Sequence, residues 1–143
     1  MIEMKIKDVE FKEESGFVYC EDINGDMYGF PVNYSKARII ALLLTNAYAP
    51  KDTIYELLVK LINSSSLYID SLVIEDGCND KAAIYIGDTE KIKSFYVSIE
   101  DALILSLLAN SKLYINKKAE FISEDELGQI ALLKFLKELD LCC

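Results

Sequence analysis

The sequence predicts a single α+β domain with an antiparallel or mixed sheet of about seven strands and four helices. Three observations carry this expectation. Short segments with strand-like alternation, or rich in β-branched and aromatic residues, recur between turn signals. Helix-opening residues stand before apolar stretches of helical period, at Ser35, Thr53, Ser98 and Ser123. The length, 143 residues, suits one hydrophobic core.

Ile2, Met4 and Ile6 alternate with Glu3, Lys5 and Lys7, after which the apolar phase moves to Val9 and Phe11. A slip of one position turns side chains to the other face, so a bulge is expected near Lys7-Asp8. Phe17 to Asp22 and Met27 to Val32 read as strands joined at Asn24-Gly25, where both residues tolerate positive φ. A helix follows from Ser35 to about Asn46, apolar nearly all round, and a second opens with Thr53-Ile54-Tyr55-Glu56 and carries Leu57, Leu58, Leu61 and Ile62. Leu67 to Glu75, Lys81 to Ile86 and Ile92 to Val97 are the next strands. Ser98, with Asp101 three residues on, opens a buried helix with Ala102, Leu105, Leu108 and Ala109 on one face, which Leu103 and Leu107 broaden; the strand Leu113 to Ile115 follows. A last helix spans about 123–140 with the stripe Leu132, Phe135, Leu136 and Leu139. The two blocks of strands followed by a helix share one order of elements.

Composition excludes several chemistries. Histidine is absent, which removes Ser-His-Asp triads, histidine general bases and histidine metal ligands. The net charge is −9 and Arg38 is the single arginine, so a phosphate backbone is repelled and bidentate phosphate clamps are scarce. Cys20, Cys78, Cys142 and Cys143 lack C-x-x-C spacing, which argues against zinc or redox motifs. No stretch is long and apolar enough for a membrane span and none reads as a signal segment, so a cytoplasmic protein with reduced thiols is expected, with no membrane partner. The apolar share of 52% and a positive mean hydropathy point to a core plus a self-association surface. A homodimer is expected from this apolar surplus, which is spread over the Ile39–Leu44 helix and the Leu132–Leu139 stripe.

The carboxylates Asp70, Glu75, Asp76, Asp80, Asp88, Glu90, Glu100 and Asp101 show no spacing that would converge them on two metal ions. Asp101 and Glu56 each have a structural reading, as the acidic members of the capping boxes opened by Ser98 and Thr53.

The stretch Tyr96-Val97-Ser98-Ile99-Glu100-Asp101-Ala102-Leu103-Ile104-Leu105-Ser106, followed by Lys112-Leu113-Tyr114-Ile115, resembles the hallmark of the bifunctional nuclease domain family. That hallmark reads approximately Asp-x-Arg-Pro-Ser-Asp-Ala-Ile-x-Leu-Ala, with a short Pro-Ile-Tyr-Val strand after it. Asp101, Ala102 and Leu105 match; Ser98 and Ile99 replace Arg and Pro. Pro50-Lys51-Asp52-Thr53-Ile54-Tyr55-Glu56-Leu57-Leu58 is similar to the family's Pro-Arg-Pro-Leu-Thr-His-Asp-Leu-Leu, with Lys51 for Arg, Glu56 for Asp and Tyr55 for His. Phe30-Pro31-Val32 is a weaker echo of its Leu-Pro-Ile. The likeness covers roughly residues 4–117, outside which the last helix lies.

The resemblance implies an α+β, frequently dimeric domain associated with nuclease activity. In that reading Lys51, Glu56 and Asp101 are the catalytic candidates: Glu56 and Asp101 hold Mg²⁺ or Mn²⁺, and Lys51 meets the phosphate of DNA or RNA. The alternative is a non-catalytic dimeric binding or regulatory module that keeps the fold.

Overall fold

The computed structural model describes residues 1–46, 53–76 and 79–116. Lys51, Cys78, the helix expected over 123–140 with its apolar stripe, and Cys142 and Cys143 lie outside these residues.

The alternating N-terminal segment forms β1 (Ile2–Phe11), which pairs antiparallel with β2 (Ser15–Asp22). Their register shifts between Ile6 and Asp8, where the apolar phase slips. β2 pairs with β3 (Met27–Asn33) across the expected hairpin. The turn differs from expectation, because Gly25 alone takes positive φ, +87°. The Asp22 carboxylate organises it instead, accepting from the Asn24 N–H at 2.8 Å, the Asp26 N–H at 3.0 Å and the Tyr28 hydroxyl at 2.9 Å. Burial pushes the Asp22 carboxyl up, but these hydrogen bonds outweigh it and hold the group below its ordinary value.

Helix α1 (Tyr34–Thr45) starts one residue before the expected position, because Asn33 rather than Ser35 caps it. The Asn33 carboxamide oxygen accepts the Lys36 N–H at 2.9 Å and the Ser35 hydroxyl at 2.9 Å. Thr53 and Ser98 cap α2 (Ile54–Ser64) and α3 (Ile99–Leu108), as the sequence suggests. Between them, β4 (Tyr68–Asp76), β5 (Lys81–Gly87) and β6 (Ile92–Val97) form a second meander, and β7 (Lys112–Ile115) follows α3.

All seven strands join one mixed sheet in the order β3-β2-β1-β7-β4-β5-β6. β7 runs antiparallel to β1 and parallel to β4. Two three-stranded meanders, each leading into a helix, thus flank the short central strand. The described residues hold three helices, and the fold is α+β.

Helix α3 has no polar flank to give to solvent beyond its first turn. Ile99 and every residue from Ala102 to Ser106 are buried, and the Ser106 hydroxyl is returned to the Leu103 carbonyl at 2.8 Å. A buried helix with a broad apolar face was expected, and the enclosure takes in Ile104 and Ser106 as well. α1 packs beside it, and β3, β4, β5 and β7 all contact it.

The sheet curls to enclose α3. Laid flat, β3 and β6 would stand six strand spacings apart, about 29 Å. Yet the Asn33 N–H, at the end of β3, donates to the Glu100 carboxylate at 2.6 Å. Glu100 lies three residues beyond β6, and three extended residues plus one side chain span under about 20 Å. The two outer strands therefore approach each other at this end.

Close approach also governs α1 on β2. A Cβ placed on Gly16 would lie 2.6 Å from the Ala37 Cβ, so only glycine lets the helix settle there. Gly16→Ala is expected to destabilise the fold by about 1–3 kcal/mol through overpacking. Ser98→Ala should cost about 0.5–2 kcal/mol by removing a cap. Ala102→Asp, placing a charge at a fully buried position, should leave no cooperative unfolding transition. Thermal melts followed by circular dichroism check all three.

Candidate functional site

Each of the three helices begins with a side-chain cap that accepts the N–H of its third residue. Asn33 takes Lys36, Thr53 takes Glu56 at 3.3 Å, and Ser98 takes Asp101 at 3.2 Å. The three caps fix the start of each helix and with it the direction of the residues that follow. Residues of these first turns meet around Asp101.

The Tyr55 hydroxyl donates to Asp101 Oδ1 at 2.5 Å, and Lys36 Nζ donates to the same oxygen at 3.1 Å. Lys36 Nζ also lies 3.2 Å from Glu100 Oε2, while Glu100 Oε1 accepts the Asn33 N–H. One ammonium thus sits between two adjacent carboxylates, and one phenol ties α2 to α3. The first turn of α1 contains no acidic residue, so Glu100 and Asp101 supply the negative charge that its N-terminal dipole favours.

The protonation states follow from this arrangement. Burial pushes the Asp101 carboxyl up, but the Tyr55 and Lys36 hydrogen bonds and the Lys36 charge bring it below its ordinary range. Tyr55 is raised to about 12, first by burial and then by its hydrogen bond to the Asp101 anion. For Lys36, burial lowers the value and the contacts to Asp101 and Glu100 more than offset this, so the ammonium is held charged.

Of the residues expected in a catalytic site, Asp101 is central to the cluster. Glu56 shares the first turn of α2 with Tyr55, but no hydrogen bond or ion pair joins it to Asp101 among the described residues. Lys51 lies outside the described residues. The Ser98 half of the expected capping box forms through the Asp101 N–H, while the Asp101 carboxylate reaches two other helices.

The cluster does not fit a divalent cation. Mg²⁺ and Mn²⁺ require several oxygen ligands in open reach. Here the Lys36 ammonium takes the position between Glu100 and Asp101 that such an ion would need. Among the described residues no group of three or more Asp, Glu, Cys or His side chains is gathered to hold a metal.

Lys36 is the residue that sequence reasoning missed. A signal was present: a lysine in the first turn of a helix opposes the dipole and calls for anionic partners from elsewhere in the chain. Glu100 was visible only as one more carboxylate.

Cys20 is a free thiol in the core, with burial raising its pKa, which makes it unreactive. No helix among the described residues is long and apolar enough to cross a membrane. No family model matches the chain, and no curated protein matches it.

The cluster makes stability depend on pH at both ends. An unfolded tyrosine loses its proton near pH 10, whereas Tyr55 in the fold keeps it to about 12. The folded state therefore binds the extra proton, and stability is lost as pH rises through that window. Lys36 acts in the same sense above its ordinary 10.5. Asp101, held low, contributes above its ordinary 3.8, and that contribution is lost as pH falls below this value. Tyr55→Phe is expected to cost about 1 kcal/mol at neutral pH. It should also reduce the alkaline loss of stability by about one proton. Urea titrations across the pH range measure both effects.

Proposed function

We propose that this chain is a non-catalytic binding or regulatory module that retains a fold like that of the bifunctional nuclease domain family. The observation that carries the reading is the seat of Lys36. Its ammonium neutralises Glu100 and Asp101 together, and Tyr55 occupies the same Asp101 oxygen. A carboxylate committed to joining three helices is poorly placed to ligate a metal or activate water. The charge of −9 supports the same conclusion, because weak phosphate attraction leaves little substrate affinity at physiological salt.

The competing reading is weak metal-dependent hydrolysis of DNA or RNA. Its support is the likeness of the segments around Tyr55 and Asp101 to the family's blocks, with Glu56 in the place of that family's aspartate. It requires Glu56 and Asp101 as metal ligands and Lys51 at the phosphate. The two readings separate in one experiment. Purified protein is incubated with single- and double-stranded DNA and RNA and with Mg²⁺ or Mn²⁺, beside a chelated control. Product formation is expected to equal the control. Chelator-sensitive cleavage that falls about tenfold, roughly 1.4 kcal/mol of barrier, in Asp101→Asn or Glu56→Gln would establish the nuclease instead.

A further inference from the structure

The two faces of the sheet are not alike. Leu72, Ile74, Ala82, Ile84, Leu113 and Ile115 point into the core that the three described helices share. Side chains alternate along a strand, and no register shift interrupts Leu72 to Ile74, so Val73 and its partner Ala83 point to the opposite face. They are nonetheless only 1% and 2% exposed. Val73 is flanked on its other side by Tyr114, and Ser71, next along β4 on this face, is buried too. The described helices cannot be the cover, since all three pack into the core on the other side.

This burial is confined to one part of the outer face. β1 presents Lys5, Asp8 and Glu10 there, all exposed. The change comes where the sheet turns parallel. Among the described strands β4 and β7 form the single parallel pair, and parallel strands are ordinarily covered on both faces. Leu72-Val73-Ile74 and Ala82-Ala83-Ile84 are unbroken apolar runs, the pattern of strands buried on both sides.

We propose that the outer face of β7, β4 and β5 is the docking surface for the chain's own C-terminal segment, 117–143, whose stripe Leu132, Phe135, Leu136 and Leu139 turns onto Val73 and Ala83. The path is short. β7 ends at Ile115, and the Asn116 N–H donates to the Ile74 carbonyl at 2.9 Å, so the chain leaves the sheet beside the patch. Residues 117–122 reach about 20 Å, enough to turn onto the face. A helix over 123–140 is about 27 Å long, and β4, with nine residues, is about 30 Å. A helix that turns back here runs antiparallel to β7. Its acidic first turn, Glu124-Asp125-Glu126, then arrives on the side of the patch where Lys81 opens β5. Lys81 is on this face, since its ammonium lies 4.2 Å from the centre of the Tyr96 ring and Tyr96 pairs with Ala83.

The apolar surplus of the sequence is then accounted for within one chain. In the Ile39–Leu44 segment, Ile40 is buried and Ile39, Leu43 and Leu44 pack against the core. The Leu132–Leu139 stripe is the other part of that surplus, and the outer patch is a seat of matching character. Tethering favours a contact within one molecule: a segment joined by six residues meets the patch at an effective concentration on the order of millimolar. The inference is independent of the function proposed above, and the cleavage assay leaves it unaffected in either outcome.

Nuclear magnetic resonance of the full, methyl-labelled chain under reducing conditions tests it. Nuclear Overhauser contacts are expected from the Val73 and Ala83 methyls to Leu132, Phe135, Leu136 or Leu139. In a mixture of labelled and unlabelled chains these contacts should stay within one molecule. Contacts between molecules would assign the cover to a second copy and overturn the proposal. Methyls of Val73 and Ala83 that touch no residue of 117–143 overturn it as well. Phe135→Asp and Leu136→Asp should each release the segment and raise the rate of Tyr114 nitration about tenfold, as local opening does. Lys134→Asp, on the opposite side of the expected helix, should leave that rate unchanged and controls for added negative charge. A Tyr114 indifferent to both stripe substitutions counts against the docking.

Discussion

Most of this fold is a response to one helix without a solvent face. α3 buries Ile99 and Ala102 to Ser106, and a helix apolar around its circumference is stable only when enclosed. A flat sheet covers one side. Enclosure requires the sheet to curl and other helices to close the remainder, and α1 and α2 take that place. The curl in turn brings the ends of β3 and β6 together, although five strands separate them in the sheet.

The same constraint explains why polar chemistry gathers at one place. The first turn of α3 is its only polar part, and its carboxylates cannot be left unpaired once partly buried. The two meanders lead into α1 and α3 in the same way, so Lys36 and Asp101 occupy equivalent third positions of their helices. One carries a cation and the other an anion, and their contact locks the two halves in register. Tyr55 adds α2 through its hydroxyl. No buried side-chain nitrogen or oxygen among the described residues lacks a hydrogen-bond partner. A buried network satisfied throughout favours one arrangement over looser ones.

Strands, caps and the β1 bulge were legible because each has a local signature: period-two alternation, a hydroxyl before an apolar run, a slip of phase. The turn after Asp22 was misread in detail because its geometry depends on a side chain reaching four residues ahead. The burial of α3 was legible from its broad apolar face, but that of Ile104 and Ser106 was not, since the sequence does not reveal what will surround the helix. The apolar residues of α2 were visible, but composition cannot distinguish a face covered by its own sheet from one left bare: Ile62 is buried, and Leu57, Leu58 and Leu61 are exposed. The candidate site was half legible. Asp101 stood out, but Lys36 lies 65 positions away in the chain and reaches it only through the curl.

The central position of β7 has a consequence for the order of assembly. Ile2 pairs with Ile115 and Leu72 with Leu113, so the two meanders share no sheet until the last described strand is in place. During synthesis the first meander emerges early and holds β1 with an open edge while more than half of the chain is still to come. Pairings so remote in sequence close late, because loop-closure entropy opposes them. Until they close, β1 and β4 are unprotected edges, able to recruit strands from neighbouring nascent chains. The four-residue strand at the sheet's middle thus sets the interval during which this protein is most exposed to aggregation.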